Sequence, residues 1–261
     1  MTTPQSLPHN IIEITAKFAG TAVPCIGRAV AERNAPYRGT PFPGAAHRAV
    51  VSLLALHRDH APFDLDALTR RALRPRDYQD LEAYNADRTR ISALLPSTLE
   101  WLDASRPEIL AVRPELGDPT ATYRTDGTGL RMRLLAKPHV VLRVGGQLMV
   151  LDAVIGRALE CAEDLARSPR FYVYDRLARC HYPDAPIRVG QWSPATGAMA
   201  VATFTLADQS YARQIIIDLA NALGGVAPAP LTPNPFCRFC AIRAACDAWS
   251  ANCSDLAQAE L

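Results

Sequence analysis

The chain has almost no lysine. Lys17 and Lys137 are the only lysines among its 28 basic residues, so chemistry that needs an ammonium group has two candidates. The chain also lacks an apolar run of about 18 residues, the length that a membrane-spanning helix needs, and it does not begin with the pattern of a secretory signal. We therefore expect a cytoplasmic protein with no membrane partner.

An excess of charge is missing too. The formal net charge is only +2, so the whole-chain charge gives no evidence for nucleic-acid binding, although a local basic stripe can still exist. A hydrophobic content of 49% over 261 residues is enough to bury a full core. We expect a single domain over residues 1–261.

The order of patterns along the chain predicts an α/β fold. Apolar spacing favours helices first, and alternating apolar residues with glycine turns favour strands from about residue 118 onward. Helices are expected over 11–20, 44–60, 168–182 and 207–225, and strands over 121–154, 187–192 and 198–206. Residues 63–118 are expected to be a helical insert that prolines, including Pro96, break into short helices.

The segment VVLRVGGQLMVLD predicts a β-hairpin. If Gly145 and Gly146 form a two-residue turn, His139 lies opposite Asp152 and Lys137 lies opposite Val154. Opposed Cβ atoms are roughly 4.5–5.5 Å apart, so a lysine, a histidine and an aspartate would share one face of the hairpin. They can simply lie on a solvated face, but Asp152 interrupts an apolar run, and a lone buried carboxylate is costly unless it is paired or binds a metal.

Three of the seven cysteines form a C-x2-C-x5-C pattern in a terminal segment, residues 226–253. They are Cys237, Cys240 and Cys246. Clustered cysteines in a reducing compartment favour a metal site over a disulfide. Cys253 would complete a compact local module that suits zinc.

Five segments, in the order in which they occur along the chain, resemble the iron–sulfur branch of the PD-(D/E)XK nuclease superfamily. This branch includes RecB-like nuclease domains and CRISPR-associated RecB-like exonucleases. The segments are VPCIGRAV, FPGAAHRAV, AKPHVVLRVGGQLMVLDAVIGR, SPRFYVYDRLAR and FCRFCAIRAAC. The resemblance implies a mixed sheet flanked by helices. It places His47, His139 and Asp152 at the metal site, and Arg170 and Tyr174 on the helix that carries the family's Q-x-x-x-Y motif.

The resemblance also implies a [4Fe–4S] cluster. Cys25 in VPCIGRAV matches the distant fourth ligand, which would join Cys237, Cys240 and Cys246 and tie the two ends of the chain together. Zinc remains the alternative. Closure of so long a loop removes unfolded-chain entropy, which indicates a structural role for the cluster.

Three side chains of the family's active site are replaced. His139 stands where the family has an aspartate, Val154 where it has a lysine, and Arg170 where it has a glutamine. One interpretation is a metal-dependent DNA exonuclease with a remodelled site, in which Lys137 supplies the ammonium group and two histidines and Asp152 bind Mn²⁺ or, less suitably, Mg²⁺. The other is a degenerate site in a protein that acts in DNA processing.

The second interpretation implies binding to DNA, to single strands or ends, or docking on a helicase, nuclease or CRISPR-type partner. Whether the protein is an enzyme is left open by the sequence. A third and weaker hypothesis is a metalloenzyme that uses the two histidines and one carboxylate on a substrate other than nucleic acid.

Overall fold

A mixed five-stranded β-sheet flanked by helices forms the centre of the molecule, which confirms the predicted α/β class. The computed structural model describes residues 11–33, 41–117, 123–124, 130–232, 234, 237, 240 and 246–248. In this part of the chain no helix is long and apolar enough to cross a membrane.

The strands are β1 (Ile11–Thr15), β2 (Glu108–Val112), β3 (Tyr123–Arg124), β4 (Arg131–Leu135), β5 (Val140–Val144), β6 (Gln147–Ala153), β7 (Ile187–Trp192) and β8 (Met199–Val201). The helices are α1 (Ala16–Thr21), α2 (Ile26–Glu32), α3 (Pro41–Arg58), α4 (Leu65–Ala72), α5 (Leu81–Ser105), α6 (Ala162–Arg167), α7 (Pro169–His181) and α8 (Leu206–Leu223). A short 3-10 helix covers Pro75–Asp77.

The five-stranded sheet has the order β2-β5-β6-β7-β8. The β6–β7 pair is parallel, and the other three pairs are antiparallel. A smaller sheet has the order β1-β4-β3, in which β1 and β4 are parallel. The parallel β6–β7 pair is joined by a crossover through α6 and α7, so α7 is carried back over the sheet next to β6.

Strand β6 is buried on both faces, and its side chains alternate between two hydrophobic clusters. Leu148 and Val150 pack with α7, α8 and the smaller sheet, whereas Met149 and Leu151 pack with α3, α4 and α5. Because alternation is strict in a strand, Asp152 projects to the α7 side. The fold thereby fixes which helix meets this carboxylate.

The hairpin register was predicted correctly where β5 and β6 pair. Val144 lies opposite Gln147, and Val140 lies opposite Leu151. Beyond Val140 the ladder stops: His139 forms a bend whose N–H still donates to the carbonyl of Leu151 at 3.1 Å, and Val154 donates to Trp192 of β7 instead. The expected pairing of Lys137 with Val154 is therefore wrong, because the chain leaves the sheet at the Pro138–His139 bend and proline has no N–H to donate.

Two other expectations are corrected. Residues 11–15 are a strand, and a helix begins only at Ala16, with the Thr15 hydroxyl accepting from the N–H of Phe18. The run IIEIT is rich in β-branched residues, which favour a strand once β4 offers a partner. The helical pattern of 11–20 is thus two elements.

The second correction concerns residues 63–118. Helix α5 passes through Pro96 without ending, and β2 at its far end is a strand of the central sheet. Pro96 lies on the exposed side of α5, while Leu94, Leu95 and Thr98 are buried. The burial of this helix stabilises it against the lost hydrogen bond of a proline.

The later elements agree with prediction. Helix α7 starts with Pro169 directly after the N-cap Ser168, and α8 ends at Leu223 with Gly224 as its C-cap. Strand β7 covers the six predicted residues, and β8 is shorter than expected.

Candidate functional site

Five of the six predicted non-cysteine site residues meet around one buried carboxylate. They are His47 on α3, His139 before β5, Asp152 on β6, and Arg170 and Tyr174 on α7. We call this group the Asp152 cluster. It lies near the carboxyl end of β6, where α3 and α7 approach each other from opposite sides of the sheet.

The local sequence explains why Arg170 and Tyr174 lie on one face of α7. Pro169 suits the first turn of a helix, and this fixes the start of α7 so that Arg170 lies in its first turn. Tyr174 follows four residues later on the same face of the helix. Asp152 then has two polar side chains of one helix opposite it.

Asp152 is the centre of the cluster, with a side chain that is only 3% exposed. Its Oδ1 accepts a hydrogen bond from the Tyr174 hydroxyl at 3.1 Å and is 2.9 Å from Nδ1 of His139. Its Oδ2 forms a close ion pair with Nη2 of Arg170, although no hydrogen bond of standard geometry reaches this oxygen from the described residues. Both oxygens therefore already face cationic or donor groups of the protein.

His139 and His47 extend the cluster toward the solvent. Their rings stack with centroids 4.6 Å apart and planes within 7°. Nε2 of His47 is 2.7 Å from the carbonyl oxygen of Ala153, to which it donates. The N–H of Ala153 points at Nδ1 of His139 at 3.2 Å, and the same nitrogen is 2.9 Å from Oδ1 of Asp152. The two contacts need different tautomers, because Nδ1 accepts from Ala153 only when unprotonated and donates to Asp152 only when protonated. Because an unprotonated Nδ1 would turn its lone pair toward a carboxylate, we assign a proton to it and a hydrogen bond to Asp152.

The electrostatics favour an ionised Asp152. Burial opposes its ionisation, but the hydrogen bond from His139 and the charge of Arg170 outweigh burial, so the pKa of Asp152 lies below its ordinary value. Burial likewise opposes the charge of Arg170, yet the neighbouring Asp152 raises the pKa of this guanidinium. Burial and the Asp152 charge raise the pKa of Tyr174, which keeps its hydroxyl protonated.

His47 is shifted the other way. Burial and the neighbouring His139 lower its pKa, and the carbonyl of Ala153 and the charge of Asp152 only partly oppose this. We therefore expect a neutral His47 at pH 7 that donates through Nε2.

A pair of polar side chains beyond the Asp152 cluster, Gln191 and Glu160, was not predicted from the sequence. Gln191 on β7 is the register partner of Asp152 and is 1% exposed. Its amide donates to the Glu160 carboxylate at 2.8 Å and its carbonyl accepts from the N–H of Glu160 at 2.9 Å. Glu160 also pairs with Arg157 and adds to the negative field at Arg170. A buried glutamine inside the strand IRVGQW was the available signal.

Lys137 is not brought to the cluster. Its ammonium forms an ion pair with Glu115, and its side chain is 58% exposed. Since the hairpin ladder ends before Lys137, this lysine does not reach the place that the sequence analysis gave it.

The arrangement does not present an open divalent-metal site. Both carboxylate oxygens of Asp152, Nδ1 of His139 and Nε2 of His47 face one another, the Arg170 guanidinium or the Ala153 carbonyl. Within the described ranges no group of three or more His, Cys, Asp or Glu side chains is placed to hold a metal ion. Metal binding at Asp152 therefore requires that Arg170 move away.

The two ends of the described chain come together near Cys25. The side-chain amide of Asn234 donates to the carbonyl of Pro24 at 2.9 Å, and the N–H of Gly27 donates to the carbonyl of Pro230 at 3.1 Å. A Cβ at position 27 would lie 2.3 Å from Cδ2 of Leu231, so glycine permits this close approach. Cys25 is buried at this junction.

Cys237 lies next to this junction, where it contacts Asn234. The backbone N–H of Asn234 is 3.3 Å from Sγ of Cys237, a contact of the kind that tunes thiolate ligands of iron–sulfur clusters. Four cysteine thiolates are the usual donor set of a [4Fe–4S] cluster. Cys25, Cys237, Cys240 and Cys246 all belong to the part of the chain that the structure describes, and there they form no group of three or more that is placed to hold a metal ion. The cluster itself stays a prediction, and Cys253, the alternative zinc ligand, lies outside the described residues.

Comparison with known proteins adds little. No family model matches the sequence, and no curated protein matches it. Among solved structures, the chain is similar to that described as the crystal structure of SSO0001, with 13% sequence identity, a TM-score of 0.41, and coverage of 94% of this chain and 89% of that chain.

Proposed function

We propose that the protein is an iron–sulfur RecB-like member of the PD-(D/E)XK superfamily that acts in DNA processing through a degenerate nuclease site. Its role is to bind DNA or to dock on a nuclease or helicase partner. The observation that carries this proposal is the Arg170–Asp152 ion pair, which places a fixed protein cation at the central carboxylate.

The chemistry of the cluster supports a non-catalytic role. Asp152 is a poor general base, because its pKa is lowered and its oxygens already face Arg170, His139 and Tyr174. Lys137 is occupied with Glu115 at the surface. Lys137, the lysine predicted to serve the cluster, thus supplies no ammonium group to it.

Purified protein tests the proposal with labelled single-stranded and end-containing double-stranded DNA. Separate reactions contain Mg²⁺, Mn²⁺, Fe²⁺ and Zn²⁺. We expect DNA to be bound or a nuclease or helicase partner to be retained, with no degradation under any metal. Absence of both DNA binding and such a partner would overturn the proposal.

A second candidate is an active Mn²⁺-dependent exonuclease with a remodelled site. One observation favours it: His47, His139 and Asp152 do meet, with stacked histidine rings and 2.9 Å between His139 and Asp152. Movement of Arg170 away from Asp152 would open the carboxylate to a metal. Degradation of single-stranded ends that needs Mn²⁺ and is abolished in Asp152→Ala, but not in the exposed control Asp184→Ala, would establish this activity.

A further inference from the structure

A basic groove lies between helices α7 and α8, on a side of α7 that the Asp152 cluster does not use. It consists of two cavities of about 460 and 340 Å³ that share Arg176 and Gln209. We call it the α7–α8 groove. Its lining includes Tyr172 and Arg176, which are two residues along α7 from Arg170 and Tyr174 and therefore face nearly the opposite way.

The groove carries mostly positive charge. Arg176, Arg179, Arg188 and Arg213 line it, and Asp175 is the one carboxylate among the lining residues of the two cavities. Asp175 is held by Arg179 through two hydrogen bonds of 2.9 and 2.7 Å. Arg176 and Arg188 are exposed, and neither pairs with a carboxylate of the described residues. Two cationic groups therefore face solvent along the groove.

The larger cavity combines this charge with an apolar floor. Met132 and Leu134 of β4 and Ile216 and Ile217 of α8 form that floor, and the ring of half-buried Tyr172 stands beside it. Leu206, at the start of α8, also lines the cavity although it is 83% exposed. Such a site suits a ligand that has both a flat or apolar part and a chain of negative charges.

We propose that the α7–α8 groove binds single-stranded nucleic acid, with phosphates along Arg176, Arg188 and Arg213 and an unstacked base against Tyr172 and the apolar floor. A single strand fits better than a duplex because its bases are free to enter an apolar cavity, whereas a duplex keeps them stacked. This inference rests on the proposed role in DNA processing, and it names the surface and the form of nucleic acid.

The test is fluorescence anisotropy with a labelled oligothymidylate at several salt concentrations, using the full chain. The double variant Arg176→Ala/Arg188→Ala removes two phosphate contacts and is expected to lower the slope of log affinity against log salt by about one to two. Tyr172→Ala is expected to weaken binding about tenfold through lost stacking. The matched control Arg71→Ala/Arg88→Ala removes two exposed arginines elsewhere and should bind as the wild type does.

The outcomes separate the groove from the proposed function. If the wild type binds the oligonucleotide and the groove variants bind equally well, the groove inference is overturned while the DNA-processing role stands. If the wild type binds neither single-stranded nor double-stranded DNA, both the groove inference and the proposed DNA-binding role are overturned. Binding of an acidic peptide in place of the oligonucleotide, lost in the Arg176→Ala/Arg188→Ala variant, would overturn the inference in favour of a protein partner. Circular dichroism and thermal melting confirm that each variant is folded.

Discussion

Arg170 in the first turn of α7 forms a buried ion pair with Asp152 near the end of β6. This ion pair links helix α7 to β6, the central strand of the five-stranded sheet. It also neutralises the one carboxylate at the middle of the cluster. The same contact docks α7 on the sheet and sets a protein cation against the carboxylate that was predicted to bind a metal.

Asp152→Asn is expected to destabilise the protein by about 3 kcal/mol, because it leaves the Arg170 charge buried without a carboxylate. Arg170 is 25% exposed, which keeps the expected value at the lower end of the range for buried pairs. Urea unfolding followed by circular dichroism measures the effect. Asp184→Asn, at an exposed carboxylate, is the matched control and should stay within about 0.5 kcal/mol of the wild type.

A double-mutant cycle completes this prediction. Asp152→Asn combined with Arg170→Met removes both charges, so the loss should be smaller than the sum of the two single losses. Strict additivity would mean that the two side chains do not interact, and the interpretation of the cluster as a charge-neutralised unit would then fail.

The pH dependence of stability should depend on His47. Its pKa is lowered in the folded protein from the ordinary value of 6.5, chiefly by burial and by the nearby His139. Below pH 6.5 the unfolded chain therefore takes up a proton that the folded protein does not, and the free energy of unfolding falls as the pH falls. The slope is at most about 1.4 kcal/mol for each pH unit.

His47→Gln checks this assignment, since the glutamine amide can still donate to the Ala153 carbonyl without titrating. Unfolding measured between about pH 5 and 7 should show a flatter pH dependence in this variant than in the wild type. His60→Gln, at an exposed histidine, should leave the slope unchanged. An equal slope in wild type and His47→Gln would refute the buried neutral state of His47.

Regular spacing predicted part of the Asp152 cluster, whereas His47 and the approach of α7 to Asp152 were expected only from the family resemblance. Alternation along β6 put Asp152 on one face, and a spacing of four along α7 put Arg170 and Tyr174 side by side. Lys137 was misplaced for the opposite reason. Its predicted position assumed that the hairpin register continued beyond Val140, and the bend at Pro138 and His139 ended the ladder there.

Other errors came from contacts that are distant in sequence. β1 is a strand because β4, more than 100 residues later, pairs with it. Gln191 belongs beside Asp152 only because β6 and β7 are parallel neighbours in register. The β-branched run at 11–15 and the glutamine within IRVGQW are local signals, but which strand or side chain each one meets is decided by pairings with distant parts of the chain.

Lys137→Ala should change the free energy of unfolding by less than about 1 kcal/mol, because its ion pair with Glu115 is exposed to solvent. It should also leave DNA binding and any metal-dependent DNA degradation unchanged. Gel-based degradation assays with Mn²⁺ measure the second expectation. Loss of degradation in Lys137→Ala, with retained stability, would instead support the remodelled nuclease and a different position of this lysine in the active state.

The cysteine pattern makes a spectroscopic prediction. Protein purified without oxygen should absorb at about 400 nm if Cys25, Cys237, Cys240 and Cys246 hold a [4Fe–4S] cluster. Cys25→Ser should remove that band and lower the melting temperature, because Cys25 lies at the junction where Pro24 contacts Asn234, 210 residues later in the chain. Cys180→Ser, at an exposed thiol on α7, is the matched control and should retain the band.

Stoichiometric zinc without the band would replace the iron–sulfur cluster with the local zinc module. In that case Cys253→Ser, and not Cys25→Ser, would release the metal, and the junction at Cys25 would be held by its hydrogen bonds and packing alone.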